Sequence, residues 1–246
     1  MKEAKAEITR LPVEGSRCGD RLALSPGLVS PTFVDMLGSD RLLGSRKIGL
    51  LCSIQCPGDI ILKTLDMMQE LRNTEACVVS GFHSPLEQEC LKVLLNGSCG
   101  LIVCPARSLI GMRIPSGYRP LLEAGRLLLI SQFGENHKRK TRESAEERNR
   151  LVAAVSDVVV VPHAVPGGKT ELLCQEIADH DKLLITFESD HNSNILAIGA
   201  LTLGPGALSG LLVTMATTCA QTERAIVTSA PMIQTGMGAE EGCRGS

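Results

Sequence analysis

The stretch that decides the fold covers residues 147–170 and reads ERNRLVAAVSDVVVVPHAVPGGKT. It opens with helical spacing, continues into a buried strand over residues 157–161, and ends in a glycine-lysine turn that leads into another helix. A turn of this kind, at the carboxyl end of a parallel strand, is where an α/β protein can hold a phosphate. The stretch therefore predicts an α/β fold with an anion site.

The same alternation extends along the middle of the chain. Short runs that are apolar throughout are typical of strands covered on both faces, and amphipathic segments separate them. This order predicts an extended Rossmann-like α/β fold, with a mostly parallel sheet and helices on both faces. The predicted strands are residues 48–52, 76–80, 101–104, 127–131, 158–162 and 183–187, and the predicted helices are residues 59–72, 85–96, 145–155 and 170–180.

The two ends of the chain differ from this pattern. Residues 1–45 have mixed polarity, and we expect an irregular N-terminal arm with one short helix over residues 32–37. Residues 46–200 form the expected α/β domain. Residues 201–246 are rich in small residues, and we expect a small helix over 208–220 and a disordered end.

Composition limits how the chain could bind nucleic acid. The net charge of −2 means that any attraction to a polyanion has to be local. With no Trp, one Tyr and four Phe, the chain lacks the aromatic platforms on which single-stranded bases stack. The clearest basic run, Lys138-Arg139-Lys140 with Arg142, is more often a solvated loop than a binding site.

Ten cysteines lie mostly in apolar stretches, which favours reduced core thiols in a cytoplasmic protein. The start of the chain is charged, and no window reaches the length of a membrane span. Neither Cys52 with Cys56 nor Cys99 with Cys104 has the spacing of a metal site, and neither do the five histidines. We therefore expect a cytoplasmic protein with no metal, no cofactor and no membrane contact.

Two turns that follow predicted strands carry polar residues. Ser80-Gly81 and His83 stand before a helix that Ser84 and Glu87 could cap, so the turn is either a capping box alone or a capping box with an anion site.

In the second turn, Arg107 follows the strand over residues 101–104, where it can hold a phosphate or form a surface ion pair.

The helix that opens the deciding stretch carries two arginines. Arg148 and Arg150 are two residues apart and point in different directions, so we expect one to reach the crevice and the other to pair with Glu146 or another nearby acid. Asn149 can bind an amide or a hydroxyl, or can cap. The candidate phosphate-binding or nucleic-acid-binding residues are Ser80, Gly81, His83, Arg107, Arg148, Asn149, Arg150, Gly167, Gly168, Lys169, Thr170 and Asn194.

These motifs, in this order, resemble the DNA-processing protein A (DprA/Smf) family over roughly residues 45–200. The resemblance rests on Ser80-Gly81, on the segment RNRLVAAVSD at residues 148–157, and on Asn194-Ile195-Leu196 with Gly199-Ala200. It implies a domain that binds single-stranded DNA as a homodimer and assists the loading of a recombinase during natural transformation. We therefore expect a binding protein, rather than an enzyme, that holds single-stranded DNA or a nucleotide by its phosphates.

The chain departs from that family at three places. The family's first strand ends in a Gly-Ser-Arg-type motif, whereas positions 52–54 read Cys-Ser-Ile and lack the phosphate arginine. Glu87 and Leu91 take the positions of an Asp and a His. The turn over residues 166–170 is more similar to the Pro-Gly-Gly motif of the Lonely Guy phosphoribohydrolases, which share the broad fold.

Two alternatives therefore stay open. One is a nucleoside-monophosphate phosphoribohydrolase, in which Glu87 or Glu176 would be the catalytic acid. The other is a sensor that binds a nucleotide-derived signal without turning it over.

Overall fold

A computed structural model of the chain describes residues 7–13, 27–29 and 31–204. Through these residues runs one nine-stranded sheet with the order β1-β2-β6-β5-β4-β3-β7-β8-β9. The strands β3 to β9 are parallel, whereas β2 is antiparallel to both of its neighbours. The strands are β1 (Thr9–Pro12), β2 (Phe33–Gly38), β3 (Lys47–Leu50), β4 (Cys77–Ser80), β5 (Gly100–Val103), β6 (Leu127–Ser131), β7 (Val158–Val160), β8 (Leu183–Phe187) and β9 (Leu201–Leu203).

Helices cover both faces of the sheet, as the apolar runs predicted. They are α1 (Gly58–Leu71), α2 (Pro85–Leu95), α3 (Arg119–Glu123), α4 (Arg142–Val155), α5 (Lys169–Asp179) and α6 (Ser193–Ala197). The first three pack in one apolar cluster with one face of the sheet, and α4, α5 and α6 pack in a second cluster with the other face. None of the helices within the described ranges is long and apolar enough to cross a bilayer.

The predicted α/β alternation is confirmed, with small shifts at the ends of elements. The largest shift is at α4, which begins at Arg142 because Thr141 and Ser144 form a capping box one turn before the apolar spacing starts. The predicted capping box of α2 is present: Ser84 accepts a hydrogen bond from the Glu87 amide, and the Glu87 carboxylate accepts one from Ser84. The predicted helix over residues 208–220 and the expected disordered end lie outside the described residues.

The helix expected over residues 32–37 is wrong, because this segment is strand β2. Its short apolar run fits either structure, and pairing with the distant β6 decides between them. β2 carries the fully buried Asp35 into the sheet, where Arg10 of β1 donates two hydrogen bonds to the carboxylate at 2.7 and 2.8 Å. The sheet thus extends beyond residues 46–200, through β1 and β2 at one edge and β9 at the other.

The topology places a crevice at the carboxyl ends of β3 and β7. From β3 to β6 the chain adds each parallel strand on the same side, and α4 then carries it back to β7 on the other side of β3. In such sheets ligands bind where the strand order reverses, outside the carboxyl ends of the strands. The loops after β3 and β7 therefore flank the expected site.

Replacing Gly38 by alanine should destabilise the fold by about 2–4 kcal/mol. Gly38 has φ +118°, and a methyl group there would overlap the carbonyl oxygen of Leu127 in the neighbouring strand. Urea unfolding of the variant measures the loss. Gly117→Ala is the matched control, because no atom lies within 4 Å of an added methyl group at that position. Equal effects of the two changes would contradict the β2–β6 pairing.

Candidate functional site

The turn after β4 is held in an unusual backbone conformation. The buried hydroxyl of Ser80 accepts a hydrogen bond from the Phe82 amide at 3.0 Å. Phe82 has φ +47°, a left-handed conformation that is uncommon for a large side chain and is found most often at functional sites. Between them, Gly81 has no side chain, which leaves room for a neighbour.

That neighbour is Arg148 of α4, whose side chain is almost completely buried. A methyl group on Gly81 would overlap the guanidinium of Arg148. The guanidinium donates hydrogen bonds from Nη1 to the Cys104 carbonyl at 3.3 Å and from Nε to Oδ1 of Asn149 at 2.8 Å. Arg148 therefore joins the ends of β4 and β5, and Asn149 orients it.

The charge of Glu87 acts on this buried guanidinium. Burial lowers the pKa of Arg148 and the negative charge of Glu87 raises it, so the guanidinium stays protonated. The Glu87 carboxylate accepts hydrogen bonds from the amides of Cys52 at 3.0 Å, His83 at 2.7 Å and Ser84 at 3.3 Å. All of these are backbone donors, so Glu87 ties the end of β3 to the start of α2 and is not a free catalytic acid.

Arg150 points away from Arg148, as the spacing predicted. Its guanidinium forms two hydrogen bonds with Glu176 of α5, at 2.6 and 2.8 Å. The hydrogen bonds from Arg150 lower the pKa of Glu176. Arg150 does pair with an acid, but the expected partner is wrong: it is Glu176 on the next long helix, 26 residues along the chain, rather than Glu146 or another local acid. Arg150 and Glu176 pair with each other and join α4 to α5. We therefore assign neither of them a ligand-binding or catalytic role.

The glycine-lysine turn precedes α5 and is closed by an acid that the sequence analysis missed. Gly167 has φ +72°, and its amide donates a hydrogen bond to Oε2 of Glu171 at 2.6 Å. The other oxygen of Glu171 accepts one from Nδ2 of Asn194 at 2.5 Å, and the same Nδ2 donates to the carbonyl of Ala164 at 3.0 Å. Asn194 Oδ1 is buried without a hydrogen-bond partner among the described residues.

Lys169 extends this turn towards α4. Its Nζ lies 3.4 Å from Oε2 of Glu146, and about half of its side chain is exposed. The pKa of Glu143 is lowered mainly by hydrogen bonds at the start of α4. The charge of Lys169 lowers it further. Gly168 is the N-cap of α5, and Thr170 is half-buried in the first turn.

The basic run before α4 lies at the same edge of the sheet. Its members are exposed, and we call Lys138, Arg139, Lys140 and Arg142 the basic rim. Burial, followed by the charges of Lys140 and Arg148, lowers the pKa of the exposed His83 beyond β4. The rim thus lies within electrostatic reach of the β4–α2 turn.

Arg107, on the loop after β5, has an unused donor. Its carbonyl accepts a hydrogen bond from Ser131 Oγ at 2.8 Å, which joins the loops after β5 and β6. Its Nε is buried without a partner in the described structure, as are Gln132 Oε1 and His137 Nε2 on the loop after β6. Buried polar atoms are normally paired, so these three atoms are exceptions to that rule.

The loops after β3 and β7 enclose a cavity of about 490 Å³ at the reversal of strand order. It is lined by Gln55, Cys56, Pro57, His163, Val165, Pro166, Asp190, His191 and Ser193. No lysine or arginine is among them. At the position of the missing phosphate arginine, the Ile54 side chain is 76% exposed.

A buried polar network supports the cavity wall. Nδ1 of His163 lies 3.0 Å from Oδ1 of Asn192, and Asn192 donates to Pro162, Thr186 and Phe187. The sequence analysis missed Asn192 as well as Glu171. Asn192 follows the buried strand β8 closely, and that was the available signal for it, whereas Glu171 lies in the first turn of α5 and carried no such signal.

The predicted site residues thus form two groups and one separate pair. Ser80, Gly81, Arg148 and Asn149 meet at the ends of β4 and β5, with His83 and Arg107 on the adjoining loops. Gly167, Gly168, Lys169, Thr170 and Asn194 surround the start of α5. Arg150 pairs with Glu176. In the described ranges, no group of His, Cys, Asp and Glu side chains is arranged to hold a metal ion.

Comparison with known proteins points to one family. The model of the family described as DNA recombination-mediator protein A matches residues 28–182, which is more than half of the chain. No curated protein matches the sequence.

Two solved structures share the fold. DNA processing protein A from Streptococcus pneumoniae is 17% identical, with a TM-score of 0.64 over 84% of this chain and 74% of that one. The Helicobacter pylori protein, described with a single-stranded DNA binding mode, is 19% identical, with a TM-score of 0.65 over 87% and 98%.

Glu87→Gln should destabilise the protein by about 1–3 kcal/mol, because an amide cannot accept from all three backbone donors. Glu89→Gln, on an exposed turn of the same helix where Glu89 pairs with Lys92 at 2.7 Å, should cost about 0.5 kcal/mol or less. Chemical unfolding of both variants separates the two expectations. A fully stable Glu87→Gln protein would contradict the structural role of Glu87.

Proposed function

Because the chain belongs to the DNA recombination-mediator protein A family, we propose that it binds single-stranded DNA through the phosphates, over the carboxyl ends of the sheet strands. The observation that carries this proposal is the clustering of exposed cations there. The basic rim and Lys169 belong to loops or helix starts that follow β6 and β7, and the half-buried Arg107 lies on the adjoining loop after β5.

Charge supports contact with the backbone of the DNA. The whole chain carries a net charge of −2, so a phosphate chain is attracted only where cations cluster locally. Replacing condensed counterions with lysines and arginines makes such binding favourable and dependent on salt. The rim supplies four cations within five consecutive positions, 138–142.

Base stacking contributes little in this proposal. Phe82, Phe133 and Phe187 are buried, and the Phe33 ring lies under the guanidinium of Arg10 at 4.2 Å. None of these rings offers the open face that stacking on a base requires. The expected binding is therefore tolerant of base sequence.

No observation favours the phosphoribohydrolase. That reaction needs a carboxylate beside the sugar, and Glu87 accepts hydrogen bonds from backbone amides whereas Glu176 pairs with Arg150. A homodimer and a recombinase partner are parts of the proposal that rest on the family resemblance, and a cytoplasmic location is a part that rests on the cysteines in apolar stretches.

Replacing Lys138, Arg139 and Lys140 together by alanine should weaken DNA binding by at least about tenfold at low salt and reduce the slope of log affinity against log salt by about 2. The physical reason is the loss of up to three phosphate contacts, each worth about 0.7 of slope on a single strand. Fluorescence anisotropy with a labelled oligonucleotide, across a salt series, measures both quantities.

The matched control replaces three exposed cations at the opposite ends of the parallel strands by alanine. They are Arg41, Arg46 and Lys92. It changes the net charge equally and should leave the salt slope unchanged. Absence of binding by the unmodified protein at low salt would overturn the proposal. Equal losses in the two triple variants would overturn the assignment of the rim.

A further inference from the structure

We propose that the cavity at the reversal of strand order is a second binding site, which takes a small organic cation with N–H donors, of the alkylamine or guanidine type. The acceptors in this site are Nε2 of His163 and the carboxylate of Asp190, which both belong to the lining. The site goes beyond DNA binding and does not rest on it. No residue of the basic rim lines the cavity, and the ligand carries the opposite charge to a phosphate.

The orientation of the buried Asn192 amide is fixed by its partners. Nδ2 of Asn192 donates to the carbonyl of Pro162 at 2.8 Å, and a carbonyl can only accept. Nδ2 also lies 2.9 Å from Oγ1 of Thr186, whose own proton is donated to the carbonyl of Val161 at 2.8 Å. Both groups therefore accept from Nδ2, so Asn192 directs its amide oxygen at His163.

This orientation sets the tautomer of His163. Oδ1 of Asn192 can only accept, and it lies 3.0 Å from Nδ1 of His163, so Nδ1 carries the proton. In the neutral imidazole, Nε2 then has a free lone pair. Nε2 has no hydrogen-bond partner among the described residues, and it is not one of the unpaired side-chain atoms there that are enclosed by protein. Although His163 is only 7% exposed, its Nε2 therefore keeps access to the cavity that the residue lines.

The charge of the lining favours a cation. When the two histidines are neutral, the carboxylate of the exposed Asp190 is the formal charge of the lining, and His191 beside it adds none. Lys63 reaches the same loop but is already engaged: its Nζ donates to the carbonyl of Glu188 at 2.7 Å and lies 3.9 Å from the carboxylate of Asp59. The cavity therefore attracts a cation rather than a phosphate.

The size and the walls of the cavity suit an alkyl chain with a charged nitrogen group. A volume of about 490 Å³ is in the range of small-molecule sites. Pro57, Val165 and Pro166 give it an apolar wall, and Gln55 and Ser193 add side chains that can each donate or accept. An alkylamine or alkylguanidine matches this combination, because the acceptors bind its N–H groups and the apolar wall packs against its methylene groups.

The first measurement concerns the protein without ligand. Long-range proton–nitrogen NMR spectra of the histidine rings near neutral pH should show that His163 has a protonated Nδ1 and an unprotonated Nε2. The opposite tautomer would contradict the proposal, because the cavity would then lack its buried acceptor.

The second measurement is a calorimetric titration of the intact chain with agmatine, which carries an ammonium and a guanidinium group. We expect saturable binding of one molecule per chain, together with a shift of the Nε2 resonance of His163. Asp190→Asn should weaken this binding about tenfold or more, because a neutral amide replaces the carboxylate that pairs with the cation.

The matched control is Asp181→Asn, which removes the same charge from an exposed turn before β8, whereas Asp190 follows that strand. Position 181 has φ +53°, a left-handed conformation that asparagine tolerates. Agmatine affinity should be unchanged in this variant. Equal weakening by the two substitutions, or no binding of agmatine to the unmodified protein, would overturn the site.

Inorganic phosphate serves as the anionic comparison and should leave the Nε2 resonance of His163 in place. A shift with phosphate and none with agmatine would show that the charge assigned to the ligand is wrong. If the unmodified protein failed to bind an oligonucleotide, the proposed function would fall, and the agmatine titration would still decide the cavity.

Discussion

The arrangement of the carboxyl ends of the strands depends on one contact, the packing of the Arg148 guanidinium against Gly81. A buried charge is costly unless it is paired and hydrogen-bonded. Here the carbonyl of Cys104, the amide oxygen of Asn149 and the nearby charge of Glu87 provide that compensation. The side chain fits only because position 81 has no Cβ. One arginine thus fixes the relative positions of β4, β5 and α4.

This contact divides the charged groups into structural and accessible ones. Glu87 and Arg148 are both about 4% exposed, and Arg150 and Glu176 neutralise each other between two helices. These pairs stabilise the backbone turns. Because their opposite charges neutralise each other, they attract a charged ligand only weakly. Attraction to an anion is left to the exposed side chains of the basic rim and to Lys169. The site therefore consists of a buried, hydrogen-bonded interior under an exposed charged surface.

Sequence spacing predicted the features that depend on local periodicity. The divergence of Arg148 and Arg150 follows from two residues of separation on a helix, and the capping box of α2 follows from Ser84 and Glu87. Residues 32–37 were predicted wrongly because a six-residue segment with four apolar residues has no decisive period and its partner β6 is about 95 positions further along the chain. Glu176 and Glu171 were unpredictable as partners for the same reason, since only the packing of α4, α5 and α6 brings them to Arg150 and Asn194.

The chemistry of the loop after β3 decides where a phosphate chain would run. The family resemblance implies an arginine at position 54, but here that position is the exposed Ile54. The adjoining cavity has Asp190 and no lysine or arginine among its lining residues, so its field does not favour an anion. The cations of the basic rim lie beyond β6, and Lys169 lies at the start of α5. A DNA backbone held by them would pass from the start of α5 along the basic rim and leave the cavity at the strand reversal free.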